Sequence, residues 1–199
     1  MNIPSSCTAG VDEVGRGALF GPVVAAAVVL PESAIAPLAA AGVTDSKKLS
    51  AQKRQQLAIQ IRQIANCSIG MASAYEIDRL NILQASLLAM RRAVSELIPQ
   101  PGFCLVDGNQ RIPELPMKQR TVIKGDLNEL AIAAASIVAK VWRDELIVRL
   151  SDRYPGYDLA NNKGYGSPKH LAGIKQLGIT RQHRTSFKSC QLQQQIPID

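Results

Sequence analysis

Four acidic residues stand at the ends of apolar, strand-like segments of the chain. Asp12 and Glu13 adjoin at the end of one such segment, Asp107 closes the segment 103–106, and Asp126 follows a third strand candidate. Side chains at the ends of neighbouring strands can converge over the sheet edge where ligands collect in α/β folds. Because converging carboxylates repel one another, such an arrangement requires a cation.

These four carboxylates offer only oxygen donors, which suit Mg²⁺ or Mn²⁺ and do not suit zinc. Two such ions about 3.5 to 4 Å apart can activate a water molecule and stabilise the leaving oxygen of an in-line phosphoryl displacement. The pattern therefore favours a metal-dependent phosphodiesterase. A carboxylate at a single strand end is usually only a turn residue, and the spacing along the chain leaves both interpretations open.

A glycine turn follows the first acidic pair. Gly15, Arg16 and Gly17 precede Gly21, but this spacing does not match the dinucleotide-binding fingerprint, and a strand follows instead of a helix. Glycines allow a ligand to lie against the peptide amides, and Arg16 would supply charge beside it. The alternative is a plain hairpin turn.

Three polar segments carry candidate contacts to phosphate. Lys163 and Tyr165 lie in a glycine-rich stretch where the ring could stack on a base or a sugar. The segment 183–188 mixes cations, hydroxyls and one apolar residue, and Lys47 and Lys48 precede a predicted helix N-terminus, which attracts phosphate. The alternatives are a tyrosine packed on its own protein, an anchored surface tail and a solvated lysine pair.

Charge and composition limit the class of protein. The 199 residues carry a formal charge of +7, and the segment from residue 159 onward holds six Lys or Arg and one Asp. This cationic end favours a nucleic-acid partner over an anionic lipid surface, although solubility alone is the alternative. No segment has the pattern of a membrane span or a signal peptide, and four scattered cysteines favour free thiols. We expect a cytoplasmic protein.

The hydrophobic pattern predicts an α/β fold with a mixed central sheet flanked by helices. Two paired strands come first, and strands then alternate with helices. We expect an α/β catalytic domain at 1–158 and a basic, helical C-terminal extension at 159–199 packed on the same domain. The predicted strands are 7–13, 22–30, 67–74, 103–106 and 118–123, and the predicted helices are 50–65, 81–99, 129–150 and 168–177.

Taken together, these residues resemble ribonuclease HII, the type 2 ribonuclease H of bacteria, from residue 9 to about residue 188. Each motif is a weak signal alone, but all of them in order are highly specific. They are AGVDEVGRG (9–17), GPVVAA (21–26), DSKKL (45–49), VDGN (106–109), KGD (124–126), AAASIVAKV (133–141), RD (143–144), KGYG (163–166), and HR with SF (183–184 and 186–187).

The resemblance implies a ribonuclease H-like fold and endonucleolytic hydrolysis of RNA in RNA–DNA hybrids. It also implies incision on the 5′ side of single ribonucleotides in duplex DNA, leaving 3′-hydroxyl and 5′-phosphate ends. The acids matching Asp12, Glu13, Asp107 and Asp126 would be catalytic and hold Mg²⁺ or Mn²⁺ by a two-metal mechanism. Residues 15–17 would contact the ribose 2′-hydroxyl, and Tyr165 the sugar of the neighbouring deoxynucleotide. Further candidates for phosphate contact are Lys47, Lys48, Lys140, Lys163, Arg184 and Lys188.

The chain departs from the family pattern at three positions, where Ala18 replaces a common Pro, Asn162 a common His and Thr185 a common basic residue. None of these positions is one of the four acids. We expect a monomer whose partners are RNA–DNA hybrid and ribonucleotide-containing DNA, with no membrane association. The sequence does not indicate whether a replication clamp binds. The alternatives are a resolvase- or integrase-like DNA nuclease and a non-catalytic binder of hybrid duplexes.

Overall fold

A mixed five-stranded sheet forms the centre of the protein, in a computed structural model that describes residues 8–191. The strands lie in the order β3-β2-β1-β4-β5. The first three pair antiparallel, while β1 with β4 and β4 with β5 pair parallel. Their bounds are β1 Thr8–Val14, β2 Val23–Val29, β3 Asn66–Ala72, β4 Phe103–Asp107 and β5 Lys118–Val122.

Helices cover both faces of this sheet and form the C-terminal part of the described chain. A single 3₁₀ turn at Ser46–Lys48 precedes the second helix. Within residues 8–191, no helix is both long and apolar enough to cross a bilayer. The helices are α1 Glu32–Ala40, α2 Ala51–Ile64, α3 Ala74–Leu80, α4 Ile82–Ser95, α5 Gly125–Asn128, α6 Leu130–Ser151, α7 Leu159–Asn162, α8 Pro168–Leu177 and α9 Lys188–Gln191.

The structure confirms the predicted α/β class and, within residues 8–191, adds five helices that the pattern did not predict: α1, α3 and three helices of four residues each. Helix α1 contains Pro37 and buries only Ala34 and Leu38, so its periodic signal is weak. Helix α3 is seven residues long and begins with a capping box between Ser73 and Glu76. It ends at Leu80, and the next residue, Asn81, has a φ of 67° that separates α3 from α4.

Strand β2 is apolar throughout because both of its faces are buried. Val23, Ala25 and Ala27 pack in the cluster beneath α4, while Ala26 and Val28 pack in the cluster beneath α2 and α6. An alternating strand with one solvated face would show polar residues at every second position. The continuous run therefore marks a central strand, in agreement with its place between β1 and β3.

Strand β1 and helix α6 lie unusually close together at Gly10. A Cβ placed on Gly10 would lie 2.1 Å from the backbone carbon of Ala131, so only glycine fits. The adjoining face of α6 consists of small buried residues, among them Ala134, Ala135 and Ser136. This close packing determines the position of the carboxyl end of β1.

A third apolar cluster joins the C-terminal part of the described chain to the sheet domain. Phe20, from the connection between β1 and β2, packs with Ile147 of α6, Tyr157 and Ile174. Phe20 also forms an isolated bridge with His183. The segment from Tyr157 to Gln191 is thus packed against the β1–β2 connection.

The contact at Gly10 predicts a large stability cost for Gly10→Ala. Overpacking of this kind typically costs about 1–3 kcal/mol, because strand or helix backbone must move. Gly17→Ala is the matched control, since a Cβ there would meet nothing within 4 Å and its φ is ordinary. Urea unfolding would measure both variants, and an equal stability of the two would contradict the tight packing of β1 on α6.

Candidate active site

Three carboxylates meet at the carboxyl ends of two parallel strands. Strands β1 and β4 pair with Val11 opposite Val106, so Asp12 and Asp107 follow side by side. Glu13 comes directly after Asp12. One carboxylate oxygen from each of these three residues lies within 4.8 Å of the others. The predicted convergence over the sheet edge therefore occurs for Asp12, Glu13 and Asp107.

Asp12 lies at the buried base of this group. Desolvation, followed by the charges of Glu13 and Asp107, raises the pKa of Asp12 well above its ordinary value. A hydrogen bond from Ser136 and the Glu13 amide, at 2.7 Å from Oδ1, act in the opposite direction. The Ser136 hydroxyl also lies 2.8 Å from the hydroxyl of Ser46, so Asp12 is linked to Ser46 through Ser136.

Glu13 and Asp107 are only partly buried, and each accepts a hydrogen bond from a nearby donor. Burial raises the pKa of Glu13, and the Arg16 guanidinium, 3.2 Å from Oε1, partly offsets that effect. Oδ1 of Asp107 accepts a hydrogen bond from the Gly125 amide at 2.7 Å. These contacts hold both side chains in place, and Arg16 offsets part of the negative charge of the group.

This donor set fits a hard divalent cation. It contains carboxylate oxygens from three residues and neither nitrogen nor sulfur. A bound cation would offset the repulsion that raises the pKa of Asp12. Asp12, Glu13 and Asp107 are the residues that would hold it, and the ion would supply Lewis-acid chemistry at an oxygen of the substrate.

Asp126 lies beside this group and not within the set of oxygens that approach to 4.8 Å, as far as residues 8–191 are concerned. It is the second residue of α5, close to both Asp45 and Asp107. Burial, then the charges of Asp45 and Asp107, raises the pKa of Asp126, while Lys47 lowers it. Sequence reasoning missed the contribution of Asp45, whose signal was its position at the start of the DSKKL motif.

The glycine turn lies at the edge of the carboxylate group. Gly15 adopts a φ of +88°, and a Cβ on it would lie 2.2 Å from Nε of Arg143. Arg16 and Gly17 are exposed. A groove is lined by Glu13, Arg16, Asp107 and Asn109 together with three apolar residues of α4, Leu83, Leu87 and Met90. The turn can therefore contact a ligand that also reaches the carboxylates.

Tyr165 is half-buried on the other side of the turn. Its ring lies 5.6 Å from Nζ of Lys140 and 5.5 Å from the guanidinium carbon of Arg143. Lys140 also pairs with Asp144 at 2.8 Å. The predicted phosphate contact Lys140 therefore lies against the predicted sugar contact Tyr165, on the surface next to the glycine turn.

The remaining predicted cations differ in exposure. Lys47, Lys48 and Lys188 are exposed, while Lys163 is half-buried and its Nζ donates to the carbonyl of Ala160. Asp45 accepts the Lys47 amide at 2.9 Å, so the lysine pair lies within a 3₁₀ turn that Asp45 caps.

The structure corrects the expectation of a direct phosphate contact for Arg184. This side chain is 0% exposed, and its Nε and NH1 donate to the carbonyls of Gly21 and Arg16 at 3.0 and 2.8 Å. Its role is to hold the connection between β1 and β2 from inside. The mixture of cations and hydroxyls in 183–188 did not distinguish an internal arginine from a surface one.

Two of the residues that depart from the family pattern, Asn162 and Thr185, form hydrogen bonds within the protein. Asn162 donates to the carbonyl of Tyr157 at 2.7 Å and accepts the Gly164 amide at 2.8 Å. Thr185 donates its amide and its hydroxyl to Asp78 of α3, at 2.9 and 2.7 Å. Both side chains therefore shape the C-terminal segment, which agrees with the interpretation of 183–188 as an anchored tail.

His170 and His183 form a buried pair behind Tyr165. Nδ1 of His183 accepts the Thr180 amide at 2.9 Å, which leaves the proton of a neutral ring on Nε2, 3.2 Å from Nε2 of His170. His170 can then donate from Nδ1 to the Tyr165 carbonyl at 2.9 Å. Burial, and next the facing His170 ring, lowers the pKa of His183 to about 4.

The buried pair predicts a loss of stability in mild acid. Between pH 6.5 and 4 an unfolded chain protonates His183 and the folded protein does not, so stability falls as pH falls, by at most about 1.4 kcal/mol per pH unit. Urea unfolding of the wild type and His183→Gln at pH 7, 6 and 5 measures this difference. The variant should lose less stability over this window, and equal slopes would contradict the assignment.

The sheet order and the carboxylates at the ends of β1 and β4 fit a divalent-metal-dependent hydrolase with a ribonuclease H-like fold. The family model for ribonuclease HII matches residues 9–190. The chain belongs to the ribonuclease HII family, and it is a metal-dependent endoribonuclease with ribonuclease H activity on RNA–DNA hybrids.

Two relatives show how close the match is. The chain is 68% identical over 192 residues to the ribonuclease HII of Acaryochloris marina, spanning 96% of this chain and 97% of that protein. It is 64% identical over 188 residues to the ribonuclease HII of Trichodesmium erythraeum, spanning 94% and 89%.

Solved structures share the fold. The ribonuclease H2 of Pyrococcus horikoshii OT3 has a TM-score of 0.77 and 26% identity, covering 93% of this chain and 95% of that one. The RNase HII of Archaeoglobus fulgidus, solved in a complex with PCNA, has a TM-score of 0.70 and 27% identity, covering 92% and 95%. The Bst-RNase HIII complex with Mn²⁺ has a TM-score of 0.76 at 22% identity, covering 96% and 70%.

The buried carboxylate of Asp12 predicts that removing its charge increases stability and weakens metal binding. In EDTA, Asp12→Asn should raise the free energy of unfolding by on the order of 1 kcal/mol, because it removes a desolvated charge beside two others. For a chain of this size that corresponds to about 2–4 °C in Tm. Adding MgCl₂ or MnCl₂ should stabilise the wild type by mass action and the variant much less.

Asp152→Asn is the matched control for this experiment, since Asp152 is exposed at the end of α6. It should respond to metal as the wild type does. A wild type whose Tm does not respond to either ion, or an Asp12→Asn variant less stable than the wild type in EDTA, would show that the three carboxylates are not a cation site.

Proposed function

We propose that the protein incises duplex DNA on the 5′ side of a single embedded ribonucleotide, in addition to hydrolysing RNA in RNA–DNA hybrids. The observation that carries this proposal is the position of the glycine turn. Glu13 and Asp107 line the same groove as Arg16, so one ligand can contact the carboxylates and the turn at once. A turn that reads a ribose next to the scissile phosphate would give this specificity.

Some residues of the site would hold metal ions, and others would keep those residues oriented. Asp12, Glu13, Asp107 and Asp126 would hold two Mg²⁺ or Mn²⁺ ions, with Asp126 closing the set on the side of α5. When bound, such ions activate a water molecule and stabilise the leaving oxygen of a phosphodiester. The Gly125 amide keeps Asp107 oriented, and the Ser136 hydroxyl keeps Asp12 oriented. Cleavage would leave a 3′-hydroxyl and a 5′-phosphate.

Recognition would come from two surface elements on either side of Arg143. Residues 15–17 would contact the 2′-hydroxyl through backbone amides and Arg16, since Gly17 is exposed and nothing would meet a Cβ there within 4 Å. Tyr165 would pack on the sugar of the adjacent deoxynucleotide. Lys47, Lys48, Lys140, Lys163 and Lys188 would contact the backbone phosphates.

The cellular setting remains a proposal. We propose a monomer in the cytoplasm that acts on nucleic acid without membrane contact. The structure of the Archaeoglobus fulgidus relative with PCNA supports testing a replication-clamp contact for this chain as well. Its C-terminal residues 192–199 lie outside the described part of the structure.

The test is cleavage of a labelled DNA duplex that carries one ribonucleotide, compared with an all-DNA duplex and a long RNA–DNA hybrid. We expect cuts 5′ of the ribonucleotide with Mg²⁺ or Mn²⁺, none in EDTA and none in the all-DNA duplex. Asp107→Asn should lower kcat by about a hundredfold or more, because it removes one carboxylate charge from the site. Asp152→Asn serves as the control.

The outcomes separate the alternatives. Cutting of the all-DNA duplex would favour a resolvase-like nuclease, and metal-independent binding without cleavage would favour a hybrid-binding protein. Cleavage of the long hybrid without cleavage at a single ribonucleotide would overturn the proposal and leave the ribonuclease H activity in place. A fully active Asp107→Asn variant would overturn the metal assignment.

A further inference from the structure

We propose that Arg143 is a positioning residue that holds the glycine turn and Tyr165 in one fixed arrangement, so that the two elements recognise a substrate as a unit. The proposal rests on the proposed function, in which these two elements contact the ribose and the neighbouring sugar. Arg143 itself has no access to substrate, because it is 0% exposed. Its positioning effect would pass through the groups that it binds.

The guanidinium of Arg143 binds both recognition elements by hydrogen bonds. Its Nε and NH2 donate to the carbonyls of Pro22 and Phe20, each at 3.0 Å, and these residues belong to the connection that contains the glycine turn. Its NH1 donates to the carbonyl of Lys163 at 2.9 Å, two residues before Tyr165. A planar fork with donors in fixed directions is required to reach three carbonyls at once.

The same side chain also contacts Gly15 of the turn and the ring of Tyr165 directly. Nε lies 2.2 Å from where a Cβ of Gly15 would be, so Arg143 excludes a side chain at this position in addition to the φ of +88°. Its guanidinium carbon lies 5.5 Å from the centre of the Tyr165 ring, within the range of a cation–π contact. The distance between the turn and the ring is therefore set by one buried group.

Backbone contacts complete the connection between the two elements. The amides of Leu19 and Phe20 both donate to the carbonyl of Gly164, at 2.8 and 3.2 Å. Gly164 has a φ of +84°, and a Cβ on it would lie 2.7 Å from the carbonyl oxygen of Phe20. A shift of the Tyr165 segment would thus move the turn, and a shift of the turn would move the Tyr165 segment.

The cost of burying this arginine indicates a role beyond filling space. Burial lowers the pKa of Arg143, and its hydrogen-bond acceptors among the described residues are carbonyl oxygens. An apolar side chain of similar volume would fill the same space without the desolvation penalty. Such a side chain would connect neither the turn nor the Tyr165 segment.

The test is a double-mutant cycle with Arg143→Lys and Tyr165→Ala. The lysine keeps the charge and loses the fork. On the single-ribonucleotide duplex we expect each variant to lower kcat/KM by about tenfold, and the double variant by little more than the larger single effect, since both changes disrupt one unit. Independent roles would instead multiply to about a hundredfold, which would overturn the proposal.

Three controls separate positioning from a general loss of structure. Arg149→Lys, on the same helix and exposed, should behave as the wild type. Mn²⁺ affinity, measured from the Tm shift with added metal, should be unchanged in Arg143→Lys because the guanidinium contacts none of the carboxylates. A loss of Mn²⁺ affinity equal to the loss of activity would show that Arg143 only maintains the fold, and would overturn the proposal.

A second measurement does not depend on the folding of any Arg143 variant or on the proposed activity. In Tyr165→Ala, hydrogen exchange at the amides of Leu19 and Phe20 should accelerate by severalfold, while exchange in α4 stays as in the wild type. Unchanged exchange at both amides would overturn the connection even if the enzyme cleaves as proposed. A wild type that fails to cut at a single ribonucleotide would reject the proposed function and leave this result standing.

Discussion

The repulsion among carboxylates at the ends of β1 and β4 is the constraint on which the rest of the structure depends. Parallel pairing of Val11 with Val106 brings Asp12 next to Asp107, and burial then raises the pKa of Asp12. The cost is opposed by close packing around the strand end, where α6 contacts Gly10 directly. The fold therefore keeps in place a group of charges that is unfavourable until a cation binds.

Two positive charges beside this site are bound by backbone carbonyls, whereas the carboxylates lie next to like charges. Arg143 and Arg184 are buried and donate to the carbonyls of the β1–β2 connection. Those carbonyls are thereby directed inward, and the exposed side of the turn is left for its amides and for Arg16. Negative charge at the strand ends and positive charge beneath the turn thus produce one surface that suits a metal ion and another that suits an anionic backbone.

The sequence predicted the sheet and the helix 168–177, because both follow from hydrophobic periodicity. It also offered a convergence of four strand-end acids as one interpretation, and the structure brings three of them within 4.8 Å of one another. It did not predict that Arg184 is internal, since a cation in a polar segment has the same local pattern whether it faces solvent or a carbonyl. The roles of Arg143 and Asp45 depend on contacts to residues that are distant along the chain. Local patterns do not encode such contacts.

The burial of Arg184 changes how the excess of basic residues in the chain is interpreted. Arg184 contributes to the charge of the C-terminal segment but not to its contact surface. Because Coulomb interactions through the low-dielectric interior extend beyond contact distance, a buried guanidinium still attracts a phosphate that approaches the turn above it. Exposed lysines, by contrast, are screened by salt. Any attraction of Arg143 and Arg184 for a phosphate near the turn would therefore be less sensitive to ionic strength than that of the exposed lysines.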